Sequence, residues 1–154
     1  GFAQMTRIDE FIEKKKEIIE QYQRYLSNYA EIKLNRTAPW AENVYWQVCM
    51  EVEGWTRHDG VATPSEYRDQ FMLALADRGI DTRPYFYPIS DMPMYSEKTT
   101  NSTPIAHQVS QQGLNLPSYF EMTRSEIKSV CSAICDCLHL DVISNKRSDF
   151  NSQL

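Results

Sequence analysis

The chain has 154 residues, 42% of them apolar and 12% aromatic, which suits one domain of ordinary size with its own core. Its net charge is −5, from 16 basic and 21 acidic residues, and this excludes the basic footprint of a nucleic-acid binder. No apolar run reaches the length of a membrane span and no signal-peptide pattern opens the chain, so the cytoplasm is the expected compartment.

The first segment, residues 2–29, spaces Met5, Ile8, Ile12, Ile19, Tyr22, Leu26 and Tyr29 by three, four or seven, which predicts one long amphipathic helix. It opens on Gly1-Phe2-Ala3-Gln4-Met5 without a capping residue, as if the chain began inside a helix. Lys14, Lys15 and Lys16 alternate with glutamates and read as a solvated, charge-paired face rather than a phosphate site. Ile32 and Leu34 suggest a weak strand. Pro39 and Trp40 belong to a loop. The clearest strand follows, with Val44, Trp46, Val48, Met50 and Val52 on one face. Residues 54–62 form a polar excursion, in which His58 reads as a loop histidine.

Thr63-Pro64-Ser65-Glu66 is a helix start with a capping box and proline at the first position. Tyr67, Phe71, Met72, Ala74 and Leu75 are its expected buried stripe, and Gly79 its left-handed terminator. A strand is expected over residues 80–87, then a turn or short helical piece over 90–95 and a mobile polar stretch to Thr103. Thr103-Pro104 opens a short helix with Ile105, Ala106 and Val109 inward, ended by Gly113. Leu114-Asn115-Leu116-Pro117 is a brief strand. Thr123-Arg124-Ser125-Glu126 is a second capping box, and Ile127, Val130, Cys131, Ile134 and Leu138 line the last helix. Residues 141–154 lack apolar periodicity and are expected to form a flexible tail after a domain of residues 1–140.

Cys49, Cys131, Cys135 and Cys137 include no Cys-x-x-Cys, and His58, His107 and His139 are scattered, so reduced thiols are expected and no metal site. The element order predicts an α+β fold: a mixed α/β sandwich with a small, largely antiparallel sheet packed by helices. The helix from Thr63 links two strands as in a split βαβ unit.

The stretch that points to function is Thr82-Arg83-Pro84-Tyr85-Phe86-Tyr87-Pro88-Ile89 with Asp91-Met92-Pro93-Met94-Tyr95. Three adjacent aromatics in a strand must point to both faces, and the flanking prolines cannot donate to a ladder. At least one ring therefore faces away from the domain's own core. For any single ring, packing against the core is the commoner role.

This stretch is similar to one in the perosamine-synthase-like branch of the DegT-type nucleotide-sugar aminotransferases, which are fold-type-I pyridoxal-phosphate enzymes. The opening Gly1-Phe2-Ala3-Gln4-Met5-Thr6-Arg7-Ile8-Asp9-Glu10-Phe11-Ile12, the helix end at Gly79-Ile80, and Asn115-Leu116-Pro117-Ser118 with Thr123 and Glu126 resemble segments of the same family in the same order. The resemblance implies the C-terminal small domain of such an enzyme. It places Arg83, Tyr85, Phe86, Tyr87 and Tyr95 against the sugar nucleotide. Many relatives carry a histidine near the position of Ser90-Asp91, where this chain has none. The family's Schiff-base lysine and most contacts to pyridoxal phosphate lie in a large domain that resembles nothing in these 154 residues. The resemblance therefore implies no cofactor or catalytic residue in this chain: a truncated domain that forms part of a substrate cleft and is inactive alone. Two alternatives follow. One is a self-associating module using the face of the first helix that the large domain would cover. The other is a free-standing nucleotide-sugar binder, which half a cleft serves poorly.

Overall fold

A computed structural model of the chain describes residues 1–53, 63–96 and 103–151, with side chains of the last helix described as far as Leu138. The elements run α1 (Phe2–Met5), α2 (Ile8–Leu26), β1 (Ile32–Leu34), β2 (Val48–Val52), α3 (Pro64–Ala76), β3 (Arg83–Pro84), a 3-10 turn (Ile89–Asp91), α4 (Pro93–Ser96), α5 (Pro104–Gln112), β4 (Gly113–Leu116) and α6 (Arg124–Asn151). The sheet order is β1-β2-β4-β3, with every neighbouring pair antiparallel. β2 and β3 therefore run parallel, joined through α3 and separated by β4, which is the split βαβ arrangement.

One face of the sheet is the core. The register pairs Val48 with Leu116 and Met50 with Leu114, so these four side chains point the same way. They are buried with Ile18, Ile19, Tyr22 and Leu26 of α2, Phe71 and Leu75 of α3, and Ile127, Val130, Cys131, Ile134, Cys137 and Leu138 of α6. Each such side chain contributes on the order of 1.5–3 kcal/mol by leaving water. Polar ties add direction: the Tyr22 hydroxyl donates to the Pro117 carbonyl at 2.9 Å, and Lys15 Nζ donates to the carbonyl of Ser118. Together they fix the turn between β4 and α6 onto α2.

Both capping boxes form. Thr63 N–H donates to the Glu66 carboxylate at 2.6 Å, and Glu66 N–H donates to Thr63 Oγ1 at 3.4 Å. The same exchange at Thr123 and Glu126 measures 2.8 and 3.3 Å. Gly79 has φ 75°; its N–H reaches the Ala76 carbonyl and the Ile80 N–H reaches that of Leu75, which is a Schellman stop.

Four expectations need correction. The first helix is broken at Thr6–Arg7, where Arg7 leaves helical geometry (φ −118°, ψ 15°). Its apolar stripe is not uncovered as a whole, because Ile19, Tyr22 and Leu26 lie in this chain's own core and only Phe2, Met5 and Ile8 stay exposed. The strand expected from Val44 starts at Val48. Asn43 Oδ1 accepts from the Tyr45 N–H at 2.8 Å, and Tyr45 adopts φ 49°, a left-handed conformation that no strand can hold. Trp46, expected on the same strand face as Val48 and Met50, is 68% exposed. The strand expected over 80–87 is ladder-paired only at Arg83–Pro84, since Pro84 brings no N–H. Finally, α5 follows its apolar pattern only in part: Val109 is half-buried, but Ile105 and Ala106 are exposed while Ser110 and Gln112 are buried. Its C-terminal end is tied to α3, where the buried Arg68 donates from Nη1 to the Ser110 carbonyl at 2.7 Å while Asp69 accepts from its Nε and Nη2. His58 and most of the polar stretch before Thr103 lie outside the described residues. The expected tail falls on the end of α6 and beyond, where side chains are not described.

These placements separate two isoleucines. Ile134→Ala, in the core, is expected to lower the unfolding free energy by about 2–5 kcal/mol. Ile105→Ala is expected to change it by less than about 0.5 kcal/mol. Chemical denaturation of both variants is the check, and a large loss at Ile105 would mean that α5 packs by its apolar side after all.

Candidate functional site

The Schellman stop at Gly79 turns the chain directly into the edge strand. Arg83 lies opposite Asn115 and Pro84 opposite Leu114, which puts Pro84 on the core side and Arg83 on the outer face with Asn115 and Cys49. Arg83 Nη2 meets Asp81 Oδ2 at 3.0 Å, and both side chains are exposed. Tyr85 continues the outer face, its N–H donating to the Gly113 carbonyl at 3.0 Å.

The Tyr85 ring covers Gly113. A Cβ on that glycine would sit 2.1 to 2.5 Å from three ring carbons, so the position is glycine for space, its φ of −91° being ordinary. Burial pushes the Tyr85 phenol well above its usual range, with the neighbouring Cys49 and Glu51 adding to the effect. Burial also raises the Cys49 thiol, whose Sγ donates to Asn115 Oδ1 at 3.4 Å. Of the residues expected at the substrate, Tyr85 is therefore an anchor of the edge strand. The next two rings leave the sheet: Phe86 is 72% and Tyr87 78% exposed. Beyond them Ile89, Met94 and Tyr95 are also exposed on the turn and α4.

A residue not singled out from the sequence holds this segment. His107 of α5 places Nε2 at 2.7 Å from Asp91 Oδ1 and Nδ1 at 2.7 Å from its own first-turn carbonyl, Thr103 O. Ser90 Oγ lies 3.2 Å from Thr103 Oγ1. The Thr103 carbonyl first, and then Asp91, raise the His107 pKa above its ordinary 6.5. The separation of sixteen positions from Asp91 to His107 hid this pair from a reading by local spacing.

A separate open cleft of about 840 Å³ lies between the start of β2, the end of α3, α2 and α6, with Trp46, Asp81, Tyr119 and Glu126 in its walls. Lys15 lines it, and burial lowers that ammonium's pKa. Pyridoxal phosphate does not fit here as an attached cofactor. The Lys15 amine is bound to the Ser118 carbonyl and lies 3.3 Å from its hydroxyl. Glu126 is committed to the Thr123 cap and to the Tyr119 hydroxyl at 2.8 Å. Lys14, Lys16 and Lys33 pair with glutamates on the surface. Among the described residues no group of three or more His, Cys, Asp or Glu could hold a metal ion, and no helix is long and apolar enough to cross a membrane.

A small antiparallel sheet backed by helices is a fold that this chain shares with fold-type-I sugar aminotransferases. The chain belongs to the DegT/DnrJ/EryC1/StrS aminotransferase family, which it matches over residues 1–135. It is 31% identical over 134 residues to a GDP-perosamine synthase of Escherichia coli O157:H7, covering 87% of this chain and 33% of that protein. It is 30% identical over 139 residues to the GDP-perosamine synthase of Vibrio cholerae, covering 87% and 34%. The aminotransferase TlmJ from Streptoalloteichus hindustanus superposes with a TM-score of 0.75 at 22% identity over 92% of this chain and 36% of that one, a likeness of fold. The chain thus spans about a third of the length of these relatives.

The anchor is testable. Gly113→Ala must displace the Tyr85 ring and is expected to cost roughly 1–3 kcal/mol. Tyr87→Ala, on an exposed ring, is expected to stay within about 0.5 kcal/mol. Thermal unfolding of the two variants distinguishes them, and a neutral Gly113→Ala would remove the anchor from the account.

Proposed function

We propose that this chain forms one wall of the substrate cleft of a pyridoxal-phosphate-dependent nucleotide-sugar aminotransferase and does not transaminate by itself. The supporting observation is the edge stretch. Tyr85 is packed down, while Arg83, Phe86, Tyr87 and Tyr95 remain exposed in a chain of this family. Each has a chemical use. The Arg83 guanidinium can offer two parallel donors to a diphosphate. Its exposed pairing with Asp81 is a surface ion pair of the kind worth about 0–1 kcal/mol, so exchange for a ligand costs little. Phe86 and Tyr87 offer faces to a base or hexose, and Tyr95 a ring with a hydroxyl. Pyridoxal phosphate, when bound, supplies the amino-group transfer. In this reading its lysine and phosphate contacts come from polypeptide beyond these residues, on the same or a companion chain. The perosamine synthases among the relatives make a GDP-linked sugar the first ligand to try.

Half a cleft should bind weakly. Amide chemical shifts of the chain, followed during titration with a GDP-hexose, are expected to move around residues 83–95 with a dissociation constant on the order of millimolar. Arg83→Ala is expected to abolish the effect. Shifts confined to the Lys15 cleft, or an unaffected Arg83→Ala variant, would refute the reading.

A second reading rests on Phe2, 86% exposed, with Met5 and Ile8 beside it on α1 and the start of α2. These would form a self-association surface between copies of this chain. Light scattering should then show dimers that Phe2→Ala and Met5→Ala dissociate; a monomer at high concentration counts against it.

A further inference from the structure

The two ring nitrogens of His107 face two oxygens at 2.7 Å, and Nδ1 also lies 3.3 Å from the Thr103 hydroxyl. Of the two nearer oxygens, Thr103 O is a backbone carbonyl, and Asp91 Oδ1 belongs to an exposed carboxylate. Neither oxygen has a proton to give, so both contacts are hydrogen bonds only when both nitrogens carry protons. An imidazolium makes both bonds. A neutral ring has one proton: with it on Nε2 the Asp91 bond is kept without its charge, while Nδ1 accepts from the Thr103 hydroxyl. The Thr103 bond is local to the first turn of α5, whereas the Asp91 bond spans sixteen residues and is the one that ties α5 to the aromatic segment.

We propose that His107, as the imidazolium, is a positioning residue that latches the Ile89–Asp91 turn to α5 and so fixes how Phe86, Tyr87 and Tyr95 are presented to ligand. The inference rests on the cleft reading for its consequence but not for its geometry. Two short-range bonds, Asp91 N–H to Pro88 O and Met92 N–H to Ile89 O, shape the turn itself. Ser90 Oγ and Thr103 Oγ1, 3.2 Å apart, give the latch a second, uncharged contact.

Among the described residues, Asp91 is the charged group that meets the ring. The rest of α5 (Pro104–Gln112) carries no charged side chain, and the nearest ion pair along the stretch, Asp81 with Arg83, is closed on itself. Glu97 and Lys98 lie outside the described residues. The sign follows from the raised pKa of His107. The charge-assisted part of the latch is fully present below the ordinary value of 6.5 and is lost as pH rises through the higher folded value. Ligand contact by the aromatic stretch should therefore weaken on the alkaline side.

The experiment is a pH titration of the 154-residue chain by nuclear magnetic resonance, reading the His107 ring and the Phe86, Tyr87 and Tyr95 rings together. The expected result is a His107 midpoint above 6.5, with the three aromatic spin systems shifting at the same midpoint. Asp91→Asn should move the His107 midpoint down, and His107→Gln should remove the pH dependence of the aromatic shifts while the α6 core resonances stay in place. A purely structural histidine would not link the two titrations. A His107 midpoint at or below 6.5, or aromatic shifts that persist in His107→Gln, would overturn the proposal. A second arm adds a GDP-hexose on each side of the midpoint. Loss of nucleotide-sugar contacts at every pH, with the linked titration intact, would defeat the cleft reading and leave the latch supported.

Discussion

The ring of Tyr85 lies where a side chain on Gly113 would have to be, and the candidate site hangs from that contact. β3 is two residues long and one of them is proline, so backbone pairing alone is a poor hold on this edge. The ring supplies what the ladder lacks. It buries apolar area over β4, sits against Cys49 of β2, and ties the edge strand to the two central strands at once. Because Tyr85 points to the outer face, its successor must point elsewhere and Phe86 emerges from the sheet. A packed residue thus sets the direction of its exposed neighbours.

From that anchor the chain is held at intervals. The Schellman stop at Gly79 fixes where it enters, and the His107–Asp91 pair fixes it again beyond Tyr87. Between the two, Arg83 pairs with an equally exposed Asp81, and the rings of Phe86 and Tyr87 are exposed. Such a stretch leaves its groups open to a ligand. In the proposed reading a nucleotide sugar meets it, with the guanidinium donating to the phosphates and the rings facing the base or hexose. The core behind it, from α2, α3 and α6, makes the platform stiff enough for these directions to persist.

What the sequence revealed was local. The capping boxes at Thr63 and Thr123, the glycine stop and the α6 stripe each depend on residues three or four apart, and their physics survives any tertiary setting. The antiparallel β2 was legible from its alternation, but its start was not. The Asn43 turn that makes Tyr45 left-handed competes with a strand pattern that looks unbroken. The facing of α5 was hidden for a different reason: its C-terminal end is tied through the Ser110 carbonyl to a buried arginine on another helix, a contact that no local spacing shows. At the site, the stretch 83–95 could be picked out by its unusual run of aromatics and prolines, and so could the idea that some rings leave the core. Which ring stays could not, since that is decided by Gly113, twenty-eight residues on, whose need for space is invisible in sequence. The same holds for His107, which looked scattered until the fold brought it to Asp91.

The most direct test is to ask which protons of the protein lie next to the nucleotide sugar. Intermolecular nuclear Overhauser effects between a GDP-hexose and the side chains of this chain report that without a mutation. The account predicts contacts from the Phe86 and Tyr87 rings to the nucleotide or hexose, and none from Tyr85. Contacts to Trp46 and Tyr119 in the Lys15 cleft, with Phe86 and Tyr87 silent, would contradict it.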